Sequence, residues 1–160
     1  MKKTKGLLIC GISILLTAFT ACSSNGKLTV SGLDPTKFDT TINNKPVKLY
    51  VLKNANDMEV CVTNFGGRIV SICVPDKNGT PTDVGLGYDN IAQYADSINS
   101  PSDFGAAIGR YANRINKGRL TIAGKQIQLP TNNFGHCLHG GPSGWQYQVY
   151  DGNQPNDSTL

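Results

Sequence analysis

The segment HCLHGG, His136 to Gly141, sets two imidazoles and a thiol within four positions and closes on a glycine pair. Three chemistries use such residues. A zinc site needs three or four ligands in a fixed geometry. His136, Cys137 and His139 would supply three from one flexible tetrad, with Gly135, Gly140 and Gly141 working against a helix and no second His or Cys cluster elsewhere. A Cys-His nucleophilic pair is disfavoured by spacing, because such partners meet across a fold from distant positions. A polar binding cleft is the third reading. GRYANRINKG (Gly109 to Gly118) gathers Arg110, Asn113 and Arg114 just before a hairpin pattern, and LHGG follows it. Sugar hydroxyls both donate and accept, so a sugar cleft calls for Arg, Asn and His at fixed angles with aromatic rings over the apolar ring face. Phe104, Tyr111 and Trp145 lie close in sequence to those groups. The glycines of GAAIG and GLG lack the Lys-Ser/Thr or strand-turn-helix context of a phosphate cradle.

The elements that must position these groups read as strands and turns. PVKLYVL (Pro46 to Leu52) alternates with period two, and NAND (Asn54 to Asp57) is the turn after it. MEVCVT and RIVSICV flank NFGG as a hairpin. Centred on Gly67, that hairpin sets Val62 opposite Ile72, Val60 opposite Val74 and Thr63 opposite Ser71, so the larger apolar residues share one face. The same register places Cys61 opposite Cys73, either as a cross-strand disulfide or as two buried thiols. PDKNGT (Pro75 to Thr80) predicts a turn and TDVGLGY (Thr82 to Tyr88) a short strand. Residues 89–98 predict one or two helical turns capped by Asp89. RLTIAGKQIQL (Arg119 to Leu129) predicts a hairpin with Gly124 at the second central position of a type II turn. The whole is an all-β antiparallel chain of sandwich type. Its last ten residues, DGNQPNDSTL (Asp151 to Leu160), are polar, hold no closing strand and read as a surface loop.

At 160 residues the chain suits one domain with a real core. Of fifteen Lys and Arg, three (Lys2, Lys3 and Lys5) stand in the first five positions, leaving twelve against eleven Asp and Glu. That balance implies no nucleic-acid partner. The three lysines precede an apolar run, Gly6 to Phe19, too short to span a bilayer and built like a secretory signal. TACSS then resembles a bacterial lipobox, which predicts removal of residues 1–21 and lipidation of Cys22; ordinary cleavage with an incidental thiol is the alternative. Residues 22–37 form a tether and lead-in, and 38–160 the folded part. An envelope address permits disulfides, but Cys61, Cys73 and Cys137 leave at least one thiol unpaired.

The stretch FGAAIGRYANRINKGRLTIAGKQIQLPTNN, with the LHGG that follows, resembles the signature region of the aldose 1-epimerases, or galactose mutarotases. MEVCVTNFGGRIVSICVPDKNG, DVGLGYDNIAQY and GWQYQVY fall in that family's order, so the likeness runs from about Phe38 to Tyr150. The resemblance implies a galactose-mutarotase-like antiparallel β-sandwich that interconverts the α and β anomers of free hexoses without a cofactor. It also implies that Asn113, Arg114 and His139 hydrogen-bond the sugar, while His136 receives no role. The family's general acid, a second histidine, and its general base, a glutamate, lie well beyond the HGG region, which sets both past Leu160. The only glutamate of this chain is Glu59, and no histidine follows Gly141. The expectation is therefore the N-terminal part of an envelope-anchored epimerase, inactive by itself, with a lipid-anchored, non-catalytic carbohydrate-binding protein as the alternative.

Overall fold

A computed structural model of the chain describes residues 27–97, 99 and 102–160. The expected signal peptide and Cys22 lie outside the described residues. Strand β1 (Thr40–Ile42) turns through Asn43 and Asn44, both at positive φ, into β2 (Lys45–Val47). A break at Lys48 divides the expected Pro46 to Leu52 strand in two: the Lys48 N–H leaves the ladder and donates to Asn64 Oδ1 at 3.0 Å. Beyond it, β3 (Leu49–Lys53), β4 (Glu59–Thr63), β5 (Arg68–Pro75) and β6 (Pro81–Asp83) pair in that order as one antiparallel sheet.

The β4–β5 register differs from the expected one. Thr63 faces Arg68 and Val62 faces Ile69; past a bulge between Cys61 and Val62, Cys61 faces Ser71, Val60 faces Ile72 and Glu59 faces Cys73. The turn causes the difference. Asn64 is anchored through Nδ2 to the carbonyls of Pro46 (3.0 Å) and Tyr150 (2.9 Å), and Gly66 and Gly67 take φ of 73° and 54°. This confines the loop to residues 64–67, and the bulge absorbs one extra residue of β5. Cys61 and Cys73 are consequently not cross-strand partners, and Cys61, Cys73 and Cys137 are all free and buried.

Three local expectations are also corrected, and a fourth holds with an addition. Only Pro81–Asp83 of the TDVGLGY region joins the sheet, because Asp83 Oδ1 accepts the N–H groups of Ile72 (3.0 Å) and Gly85 (2.9 Å) and ends the ladder. The helix α1 is Ile91–Ala95, and its cap is Asn90 rather than Asp89, with Asn90 Oδ1 accepting the Gln93 N–H at 3.0 Å. The later hairpin, after β7 (Arg114–Ile115), consists of β8 (Arg119–Ile122) and β9 (Lys125–Gln128). Its turn carries φ of 48° at Ala123 and 78° at Gly124. Two positive values make it a type I′ loop, whose twist matches the flanking strands as a type II turn would not. The polar run from Asp151 to Leu160 forms no strand and is largely exposed, as expected of a surface loop, and it is tied to the sheet. Gln154 Nε2 donates to the Val51 carbonyl at 2.8 Å, the Lys53 N–H donates to the Asp157 carbonyl at 2.6 Å, and Asn156 bridges Thr159 just before the exposed Leu160. The run thereby supplies partners to backbone groups of β3 that face away from β4.

The core gathers Leu33, Phe38, Val47, Leu49, Cys61, Phe65, Val70, Ile91, Tyr94 and Val149. Phe38 is fully buried, worth roughly 1.5–3 kcal/mol by side-chain transfer. Leu33, in the lead-in, joins the same core at 8% exposure, so the lead-in is held to the sheet as well. Glu59, only 1% exposed, fastens it further: Oε1 accepts the Val30 N–H at 2.6 Å and Oε2 pairs with Lys53 Nζ at 3.0 Å.

Candidate functional site

The short strand β10 (Cys137–Leu138) pairs antiparallel with β7, Leu138 opposite Arg114 and Cys137 opposite Ile115. The β8–β9 hairpin between them returns the chain, so ANRI and HCLHGG lie side by side although the whole hairpin separates them in sequence. Asn132 extends the pairing with its side-chain amide, which accepts the Leu138 N–H at 2.8 Å and donates to the Leu138 carbonyl at 3.1 Å.

On this frame His139 and Asn113 are bonded twice. The His139 N–H donates to the Asn113 carbonyl at 3.1 Å, and the Asn113 N–H donates to His139 Nδ1 at 2.9 Å. Both residues take left-handed backbone, φ 51° and 65°. Asn113 Oδ1 accepts the Arg114 N–H at 2.9 Å, and Arg114 Nε donates to Asn133 Oδ1 at 2.9 Å. The three expected sugar-binding residues therefore form one hydrogen-bonded cluster. Because Nδ1 of His139 accepts, the proton of its neutral ring sits on Nε2, which is left as a donor.

Two cavities flank the cluster. One, of about 290 Å³, is lined by His139, Asn132, Asn133, Asp103, Gln146 and Tyr147, among others. The other, of about 460 Å³, is lined by Asn113, Arg110, Tyr111, Trp145 and neighbours. Asn113 and His139 thus open onto different cavities, and Arg114 reaches the smaller one through Asn133. Of the expected aromatic covers, Tyr111 and Trp145 line the larger cavity, with the Arg110 guanidinium 5.9 Å from the Trp145 ring centre. Phe104 instead packs on Tyr88, ring centres 5.8 Å apart.

The neighbours in HCLHGG have other partners. His136 Nδ1 accepts the Lys117 N–H at 3.2 Å and steadies the turn before β8. Cys137 is buried, 1% exposed. Among the described residues no group of three His, Cys, Asp or Glu is placed to hold a metal. Gly140 has φ 80°, and a Cβ there would overlap the Gly109 carbonyl, so only glycine lets the chain turn directly after His139.

Sequence reasoning missed Asn132, Asn133 and Asp103. The Asn pair reads as turn residues, and nothing in its spacing shows that one side chain substitutes for a strand and the other receives Arg114.

The family model for aldose 1-epimerase matches residues 48–160. A protein of Arthroderma benhamiae named probable aldose 1-epimerase is 34% identical over 140 residues, 86% of this chain and 31% of its own length. Mouse galactose mutarotase is 38% identical over 91 residues, 57% of this chain and 26% of its own. The solved GalM/aldose epimerase homologue from C. elegans superposes with a TM-score of 0.64 at 31% identity, covering 69% of this chain and 33% of that one. The chain thus spans about a quarter to a third of the length of the relatives it matches. With ANRI and LHGG joined through β7 and β10 inside the matched residues, the chain belongs to the aldose 1-epimerase family.

Proposed function

We propose that the protein containing this chain interconverts the α and β anomers of free hexoses such as galactose and glucose, and that Asn113, Arg114 and His139 hold the sugar. The observation that carries this reading is the twofold bond between Asn113 and His139. It fixes an imidazole with Nε2–H as donor at the wall of a cavity large enough for part of a hexose. Arg114, steered by Asn133, adds a charged donor beside it.

In this mechanism a glutamate removes the proton from the anomeric hydroxyl while a second histidine protonates the ring oxygen. Both come from the segment that the family resemblance expects beyond Leu160. The ring opens, the C1–C2 bond rotates, and reclosure gives the other anomer. Neutral and charged donors at His139 and Arg114 orient the ring and stabilise charge that develops on its oxygens. The protein acts at the cell envelope, anchored through lipid on Cys22.

The experiment is polarimetry on freshly dissolved α-galactose with protein expressed from the complete gene. Arg114→Ala and His139→Ala should each weaken sugar use by roughly 1–3 kcal/mol, the range for losing a hydrogen-bond donor to a bound ligand. The two losses should fall short of additivity if both hold one ligand. Parent kinetics in both variants would remove these residues from the site. Sugar binding without acceleration would favour a lipid-anchored binding protein instead.

A further inference from the structure

Arg68, the first residue of β5, has a fully buried side chain. Its guanidinium carbon lies 5.0 Å from the Phe65 ring centre and 5.5 Å from that of Tyr94. Nη2 approaches Asp103 Oδ1 at 4.0 Å, an ion pair without a hydrogen bond. Nε, Nη1 and Nη2 all lack hydrogen-bond partners, as does the buried Oδ1 of Asp103. Gln146, 1% exposed, leaves its Oε1 unpartnered as well. Burial pushes the Arg68 pKa down while the Asp103 carboxylate pushes it back up. Arginine nevertheless keeps its charge in a protein.

A buried cation whose three nitrogens have no hydrogen-bond partner acts through its field, and the carboxylate it faces is Asp103. Asp103 and Gln146 line the 290 Å³ cavity together with His139. The lining of that cavity therefore includes a donor, His139 Nε2–H, and a carboxylate that can only accept. Of the other amides in the lining, Asn132 is engaged with Leu138 and Asn133 with Arg114, while Gln146 keeps Oε1 as a neutral acceptor. The acceptors left for a hexose hydroxyl in this cavity thus include Asp103, which is charged, and Gln146 Oε1, which is not.

We propose that Asp103, oriented by the buried Arg68, is a specificity-determining residue of the sugar site, its carboxylate accepting a hydrogen bond from one hydroxyl of a hexose seated against His139. This rests on the sugar-site reading above and deepens it by naming the residue that distinguishes one hydroxyl pattern from another. Arg68 is a positioning residue. Its charge holds the buried Oδ1 of Asp103, leaving Oδ2 for the hydroxyl, and it does not itself touch the sugar.

The test uses protein expressed from the complete gene and compares the parent with Asp103→Asn, Arg68→Met and the double variant. Mutarotation of glucose, galactose and their 2-, 3-, 4- and 6-deoxy derivatives is followed by polarimetry. Asp103→Asn should lower kcat/KM roughly ten- to hundredfold, mainly through KM, for every sugar carrying the recognised hydroxyl. The one deoxy sugar that lacks it should be used within about twofold of the parent rate. Arg68→Met should reproduce that pattern, and the double variant should be no worse than the poorer single. Should Arg68→Met fail to fold, Asp103→Asn decides alone, its side chain being 28% exposed. Parent kinetics on every sugar, or an equal loss on all of them, overturns the proposal. If the parent accelerates nothing, the epimerase reading fails and the same panel is read by calorimetric binding. There a selective loss in Asp103→Asn still supports Asp103, and no binding by the parent overturns both.

Discussion

The backbone N–H of Asn113 donates to Nδ1 of His139 across 2.9 Å, joining the two motifs through a side chain as well as through their strands. This contact decides the tautomer of His139, and the Lys117 N–H decides that of His136 in the same sense. In ¹⁵N spectra at a pH where the imidazoles are neutral, both rings should report a proton on Nε2 and an accepting Nδ1. A proton on Nδ1 of His139 would mean that the clamp does not form, and the donor assigned to the cavity would be lost with it.

Gly140 should tolerate no side chain. Its φ of 80° and the overlap of an added Cβ with the Gly109 carbonyl both act against Gly140→Ala. The variant should lose more than about 1 kcal/mol in denaturant unfolding, since alanine is strained at positive φ. It should also lose sugar use, because His139 must shift when the chain after it does. Stability and kinetics equal to the parent's would show that this turn does not set the imidazole.

How much of this was legible in the sequence depended on whether a residue acts through its neighbours in the chain. Alternation placed the strands around Tyr50, Val60 and Ile72, and the hairpin over Arg119 to Leu129 brought Arg114 and His139 together as expected. The β4–β5 register was not legible, because it is fixed by Asn64 reaching the carbonyls of Pro46 and Tyr150, the latter 86 residues away. The buried polar face of the same sheet was hidden for a similar reason. Glu59, Thr63, Arg68 and Ser71 are 0–1% exposed, although their types read as surface. Glu59 accepts the Val30 N–H and is ion-paired with Lys53, and Ser71 Oγ accepts from Ser31 at 3.0 Å. Arg68 keeps its charge there beside Asp103. Such compensation is a property of three-dimensional neighbours, and period-two patterning carries no trace of it.

The observed register makes Cys61 and Cys73 inert thiols. Burial raises the pKa of both, most directly by penalising the thiolate. A raised pKa leaves less thiolate at neutral pH, and the thiolate is the reactive form. Site-resolved mass spectrometry after brief alkylation near pH 7.5 should find Cys61, Cys73 and the buried Cys137 unmodified in native protein and modified after unfolding in urea. A disulfide linking Cys61 to Cys73 in protein purified without reductant would contradict the register itself.

The proposed anchor is tested by replacing Cys22. Lysines followed by an apolar run, small residues and a cysteine predict lipid on that residue and loss of residues 1–21. Cys22→Ser should move the protein from the membrane to the soluble fraction and leave the leader uncleaved. Equal membrane retention in variant and parent would rule the lipid anchor out.

The 160 residues up to Leu160 should not by themselves accelerate mutarotation. Positioned general acid and base groups contribute on the order of 10² to 10⁴ in rate. The single glutamate, Glu59, is buried against Val30 and Lys53 and lines neither cavity beside the ANRI and LHGG motifs. His136 spends Nδ1 on Lys117 and His139 spends its own on Asn113, so neither imidazole presents an accepting nitrogen to the cavity by that atom. Without a group to move the proton, little charge develops on the sugar for the donors at His139 and Arg114 to stabilise, so in this chain alone they bind sugar without raising kcat. Purified chain added to α-galactose should therefore match the buffer blank in polarimetry. Acceleration that disappears in His139→Ala or Asp103→Asn would reverse this assignment, because a residue that serves only to bind sugar could not be the one moving the proton.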